Sequence, residues 1–223
     1  MRPMTLLRPF RPVRGWLVLL GGSSGTWPRT EPIDRAAIER MSAGPIAFMP
    51  AAGCPPDYGE SFLATYARLG ATDGYVVEIR DAASAHDAQN GALLQRAGLI
   101  YFGGGDTTRL LASMTGTPAL DAVASAYEAG AVIVGMSAGA IALAAWGVSL
   151  NAGVLQGWGW LPNTIVSVHH TPQRDEALAR AHRDRPETIA IALPEHAALA
   201  IGPDGEVEEW GEQGITITAG PAT

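Results

Sequence analysis

Five short apolar runs, each ending in glycine, proline or a polar turn, alternate along the chain with longer segments whose apolar residues recur at helical spacing. The runs are "WLVLLGG" (16–22), "PIAFMPAAG" (45–53), "GYVVEIR" (74–80), "GLIYFGGG" (98–105) and "AVIVGMSAG" (131–139). Near-continuous apolar runs of this length suit strands buried on both faces. Between them, "EPIDRAAIERM", "YGESFLATYARLG", "DAQNGALLQRAG" and "TTRLLASMTGTPALDAVASAYEAG" read as helices, with Gly70 and Gly130 where helix ends take positive φ. Alternation of strand and helix means parallel pairing through right-handed crossovers. The expected fold is therefore α/β, a doubly wound and mostly parallel sheet with helices on both faces. The tail differs: "PDG" at 203–205 separates two alternating segments and predicts an antiparallel C-terminal extension.

A chain of 223 residues that is 47% apolar and 17% charged has the makings of one substantial core. The expected division is a single domain over 15–223 behind a flexible basic leader, 1–14, which carries Arg2, Arg8, Arg11 and Arg14. A transit peptide is the rival reading of that leader. A net charge of −7 argues against nucleic acid, because phosphate binding needs a clustered positive field. No apolar run approaches the roughly 18 residues of a membrane span. The single cysteine, Cys54, rules out an intramolecular disulfide and a cysteine-rich zinc site, and reads as a half-buried thiol rather than a nucleophile. The cytoplasm is the default address.

In an open parallel sheet, ligands bind beyond the carboxyl ends of the strands. Ser137 falls at such an end, in Gly135-Met136-Ser137-Ala138-Gly139, a G-x-S-x-G pattern placed between a strand and a helix. Small flanking residues let a serine take a strained turn that lifts its hydroxyl out of the sheet. A buried structural turn is the alternative reading. The stretch "IYFGGGDTTRLL" (100–111) also closes a strand, but it carries neither a P-loop nor a dinucleotide fingerprint. Its Gly104 and Gly105 offer backbone N–H groups that, with that of Ala138, suit an oxyanion. Asp106 stands where a helix cap belongs.

A serine nucleophile needs a base. His86 and His182 lie in polar segments, whereas "WLPNTIVSVHHTPQR" runs an alternating apolar strand into His169 and His170. Strand alternation places Ile165, Ser167 and His169 on one face and Val166, Val168 and His170 on the other, so one histidine of the pair faces the active edge. Opposed side chains with no neighbouring carboxylate make a poor metal site, and no metal is expected.

Together, "YFGGGDT", the leucine-rich helix after it, the "GMSAGA" elbow and "LPNTIVSVHH" resemble the serine peptidase family of aspartyl dipeptidase (peptidase E) and cyanophycinase. That family has a class I glutamine-amidotransferase-like fold, and the resemblance runs from "WLVLLGG" to "LPEHAALAI". It implies that Ser137 is the nucleophile and that His169 holds the histidine's place. His170 then occupies a position usually aromatic, so that phenylalanine there is expected to be tolerated. The family's glycine turn continues into asparagine or glutamine, and this chain has Asp106 instead. Family members place an acid shortly after the serine helix or two residues before the histidine. Here no Asp or Glu occurs between Ala138 and Arg174, and Ser167 stands two residues before His169. Glu195 in "LPEHAAL", where the resembling family also tends to have a glutamate, and Asp106 are the remaining candidates to orient the histidine.

The expectation is a serine peptidase acting on short peptides. Ser137, His169 and Glu195 are its catalytic set, and Gly104, Gly105, Asp106 and Ala138 line the substrate. No cofactor is needed, and the enzyme is expected to be a homodimer. Asp106 either caps its helix or holds the free ammonium of a bound peptide. Arg109 and Arg174 are the nearest cations for an acidic substrate. Hydrolysis of a non-peptide amide and a catalytically silent binding protein are the alternatives. The tryptophan-bearing segment "AAWGVSLNAGVLQGWGW" either covers a partner or packs internally.

Overall fold

The computed structural model describes residues 7, 9, 13–23, 29–149 and 151–220. Most of the leader expected over 1–14 lies outside the described residues; within it, Leu7 and Val13 are buried in the main core. The strands are β1 (Leu17–Leu20), β2 (Ile46–Met49), β3 (Gly74–Val76), β4 (Leu99–Phe102), β5 (Val132–Met136), β6 (Ala144–Ser149), β7 (Gly153–Gln156), β8 (Leu161–Ser167), β9 (Ile189–Ala192), β10 (Ala197–Ile201), β11 (Val207–Gly211) and β12 (Thr216–Thr218). The helices are α1 (Glu31–Arg40), α2 (Tyr58–Arg68), α3 (Ala82–Ala85), α4 (Ala88–Gln95), α5 (Thr107–Met114), α6 (Pro118–Ala129), α7 (Ala138–Leu143) and α8 (Asp175–Arg183).

The five expected strands form the parallel heart of a seven-stranded sheet, in the order β11-β10-β1-β5-β4-β2-β3. Because alternate side chains of a strand point to opposite faces, each run feeds two cores. Leu17, Leu19, Met49, Ile100, Phe102 and Ile133 face α4 to α7, whereas Val18, Leu20, Phe48, Tyr101 and Val134 face α1 and α2. β10 and β11 join antiparallel across the "PDG" turn, as the sequence leads one to expect.

Not anticipated from the alternation is a second, five-stranded sheet, β12-β9-β8-β6-β7, in which β6, β8 and β9 run parallel. Leu161, Val166, Ile189 and Ile191 turn inward to the main core, while Ile165, Ala190 and Ala192 receive Leu178 and Ala181 of α8. Part of the tryptophan segment packs internally, whereas β7 within it is largely exposed. Trp160 is stacked on Tyr127 at 5.7 Å between ring centroids, and Trp158 sits 5.3 Å from Phe102. The single helical pattern over 107–130 divides into α5 and α6 at Gly116, whose φ is 72°, with Thr117 capping and Pro118 opening the second helix.

Asp34 of α1 is buried against α2, where it accepts hydrogen bonds from Tyr66 Oη at 2.8 Å and Thr30 Oγ1 at 3.0 Å. Burial outweighs those bonds and raises its carboxyl to about 6. A carboxyl raised in the folded state binds protons there that the unfolded chain has released, so stability falls as pH rises through that interval. The penalty is absent below about pH 4 and complete above about pH 6, where it amounts to roughly 3 kcal/mol. Urea unfolding of Asp34→Asn beside the parent at pH 4 and pH 8 should show the variant gaining about that much relative stability at the higher pH.

Candidate active site

β5 ends at Met136, and the next residue leaves allowed space for a side-chain-bearing residue: Ser137 has φ 52° and ψ −101°. The flanking glycines make this possible by close approach. A methyl on Gly135 would lie 2.5 Å from the Gly139 carbonyl carbon, and one on Gly139 would lie 2.9 Å from Phe102 Cβ. α7 therefore crosses β5 and β4 at backbone contact, and the serine is the hinge of that crossing. Its N–H donates to Leu20 O at 2.9 Å, tying the elbow to β1.

Ser137 Oγ lies 2.7 Å from His169 Nε2. On the other side of the ring, His169 Nδ1 is hydrogen-bonded to Glu195 Oε1. The carboxylate can only accept, so Nδ1 carries the proton and Nε2 is left to accept from the serine hydroxyl. The histidine and glutamate side chains are 30% and 31% exposed, so the chain opens to solvent.

His169 does not reach this place by strand alternation. β8 stops at Ser167, and His169 itself is left-handed, with φ 47°. The expectation that Ile165, Ser167 and His169 share one face is corrected accordingly, because the turn breaks the two-residue period. His170 points away from Ser137 and pairs with Ser167 and Asp175.

The Gly104 backbone borders Ser137, since a methyl there would meet Met136 Cε at 3.0 Å and Ser137 Cβ at 3.7 Å. Its N–H makes no backbone hydrogen bond among the described residues. Ala138 is the first residue of α7, so its N–H has no acceptor within the helix. Gly105 serves differently: its φ is 146° and a methyl there would strike Ala52 O at 2.3 Å, docking the turn on the loop after β2.

Asp106 is exposed and caps α5, accepting the Arg109 N–H at 2.9 Å. That bond, with the one from Thr108, holds its carboxyl below the usual range. Neither candidate cation is poised over the serine by any contact among the described residues. Arg109 lies over Gly53 and donates to Arg80 O at 3.4 Å, and Arg174 donates to Val168 O at 2.5 Å. Cys54 is half-buried, and burial pushes its thiol up, away from nucleophilic character. Among the described residues no group of three or more His, Cys, Asp or Glu is placed to hold a metal, and no helix is long and apolar enough to cross a membrane.

One contributor was missed in the sequence. Gly22 lies flat against the histidine–glutamate pair, so that a methyl there would sit 2.3 Å from His169 Nδ1 and 3.0 Å from Glu195 Oε2. The only sequence signal was the doubled glycine closing the first strand run.

Residues 17–208 match the profile of peptidase family S51. A cyanophycinase of Geminocystis herdmanii is 28% identical over 190 residues, covering 79% of this chain and 70% of that protein. Against this and further cyanophycinases the chain spans 58% to 70% of their length. A crystal structure of a peptidase from an acI-B1 actinobacterium superimposes with a TM-score of 0.73 at 22% identity, covering 94% of this chain and 92% of the other. A protein described as a peptidase E from Listeria monocytogenes has a TM-score of 0.60 at 17% identity, covering 89% and 99%. The class is thus that of serine-type peptidases and hydrolases on an α/β scaffold. The chain belongs to peptidase family S51.

Gly22→Ala should displace the His169 ring while leaving the strands intact. Peptide hydrolysis is expected to fall by about a hundredfold, since a shift of about 1 Å in a catalytic group has that effect; circular dichroism should be unchanged.

Proposed function

We propose that this protein hydrolyses short peptides through Ser137, His169 and Glu195. The observation that carries the reading is the continuous hydrogen-bonded chain from Ser137 Oγ through His169 to Glu195. In the first step Oγ attacks the scissile carbonyl carbon, and its proton passes to His169 Nε2. The carbonyl electron pair moves to oxygen, where the N–H groups of Gly104 and Ala138 stabilise it. Collapse of the tetrahedral intermediate breaks the C–N bond, and His169 returns the proton to the leaving amine. Water, deprotonated by the same nitrogen, then releases the acyl group and restores the serine. Glu195 fixes the imidazole tautomer and stabilises the imidazolium formed in both halves. It replaces in function the acid absent between Ala138 and Arg174.

Family membership, the peptidase neighbours in fold and the cyanophycinase relatives support a peptide substrate. Screening the purified protein against a peptide library with mass-spectrometric identification of products tests this directly. Ser137→Ala and His169→Ala should each lower the rate by at least about two orders of magnitude, because the two act as a unit. Glu195→Gln should lower it by up to about four. Retention of full activity by Ser137→Ala would overturn the assignment.

For Asp106 the capping geometry supports a structural role. Asp106→Ala should lower stability to urea by roughly 0.5–2 kcal/mol. Peptides with free and acetylated amino termini should be affected alike; a loss confined to free termini would instead assign the carboxylate to the substrate ammonium.

A further inference from the structure

The turn that delivers His169 is costly for a residue bearing a Cβ, because left-handed backbone crowds that atom against the carbonyl. Something outside the turn must hold it. The main chain supplies two bonds, His169 N to Gly21 O at 2.9 Å and His170 N to Leu193 O at 3.0 Å. The side chains supply three more, all directed to the residues bracketing His169. Arg174 Nη1 donates to Val168 O at 2.5 Å, immediately before the histidine. Immediately after it, His170 Nδ1 meets Ser167 Oγ at 3.1 Å, and His170 Nε2 meets Asp175 Oδ1 at 2.6 Å.

Ser167, His170 and Asp175 form a second serine–histidine–carboxylate chain, but Ser167 is 1% exposed and cannot meet a substrate. Its geometry instead makes it a brace. The Asp175 carboxylate accepts from Nε2–H, which leaves Nδ1 to accept the buried serine hydroxyl. The anchor points are rigid. Arg174 ends a single 3₁₀ turn begun by Pro172, and Asp175 opens α8, which is docked on the second sheet by Leu178 and Ala181.

We propose that Arg174 and His170, the latter held between Ser167 and Asp175, are positioning residues that lock the 167–170 turn and so present Nε2 of His169 to Ser137. This rests on the reading of Ser137 and His169 as nucleophile and base. It assigns Arg174 to the scaffold rather than to an acidic substrate. It also gives His170 a role that a plain aromatic ring cannot fill, since phenylalanine would leave the buried Ser167 hydroxyl and the Asp175 carboxylate without their partner.

The test compares Arg174→Ala, Arg174→Lys, His170→Phe and Asp175→Asn with the parent, by steady-state peptide hydrolysis and by the low-field proton resonance of His169 Nδ1–H, identified by its loss in His169→Ala. Arg174→Ala and His170→Phe should lower kcat by about ten- to a hundredfold. KM should stay within about threefold, as befits an interaction that acts on the reacting group rather than on binding. The low-field resonance should broaden or vanish in both, and Arg174→Lys should recover part of each signal. Should His170→Phe fail to fold, Asp175→Asn carries the test, because that side chain is 70% exposed; it should show a smaller fall in kcat with the same weakened resonance. Parental kcat and resonance in Arg174→Ala and His170→Phe would overturn the proposal, as would an effect of Arg174→Ala confined to KM. Failure of the underlying nucleophile–base reading looks different: Ser137→Ala would then remain active, whatever the brace variants do.

Discussion

The site depends on one close crossing, that of α7 over β5. Gly135 lies against Gly139 and Gly139 against Phe102, so helix and strand approach to a distance that no side chain would permit. That approach forces the connecting residue into the strained conformation seen at Ser137, which aims its hydroxyl away from the sheet. Strain of this kind persists only where the surroundings over-determine it. Here the Leu20 carbonyl, the Met136 side chain beside Gly104 and the fully buried α7 supply the constraint.

The three groups of the hydrogen-bonded chain come from three places in the architecture. Ser137 follows β5 of the seven-stranded sheet, His169 follows β8 of the five-stranded sheet, and Glu195 lies in the link by which the chain passes from β9 in one sheet to β10 in the other. Main-chain bonds from both sheets converge on the doubled glycine at the seam. Gly21 N donates to Ala197 O, Gly21 O accepts from His169 N, and Gly22 O accepts from His196 N. A methyl on Gly21 would strike Pro194 O at 2.1 Å and one on Gly22 the His169 ring at 2.3 Å, so bare backbone is the only filling that lets the strands meet. The alignment of His169 with Glu195 is in this sense a property of the seam.

In the proposed reading, Glu195 on the link takes the part of an acid between Ala138 and Arg174, where the chain has none. An orienting carboxylate need only reach the far nitrogen of the imidazole, and the β9–β10 connection passes beside that nitrogen. The two sides of the His169 turn are then held by unlike means: main-chain bonds to Gly21 and Leu193 on the seam side, and Arg174 with the His170 pair on the side of α8.

The sequence by itself determined the parallel strands, the helices between them, the "PDG" hairpin and the serine elbow. Each of these is written in a local period, a cap or a run of glycines, and local signals survive without knowledge of distant partners. Glu195 is legible as one of two acids left after elimination, at a place where the resembling family tends to carry a glutamate, and His169 is set over His170 only by counting from the Leu-Pro turn. The second sheet, the role of Gly22 and the left-handed turn at His169 were decided by tertiary structure alone. They depend on pairings such as Trp146 with Ile165 and Ile165 with Ala190 in the sheet and His169 with Gly21 at the turn, and a short-range pattern does not reveal which distant backbone a glycine must let through. Strand alternation fails at His169 because the pleat that sets it ends at Ser167, where hydrogen bonds from another sheet and from the 3₁₀ turn leading into α8 take control of the chain.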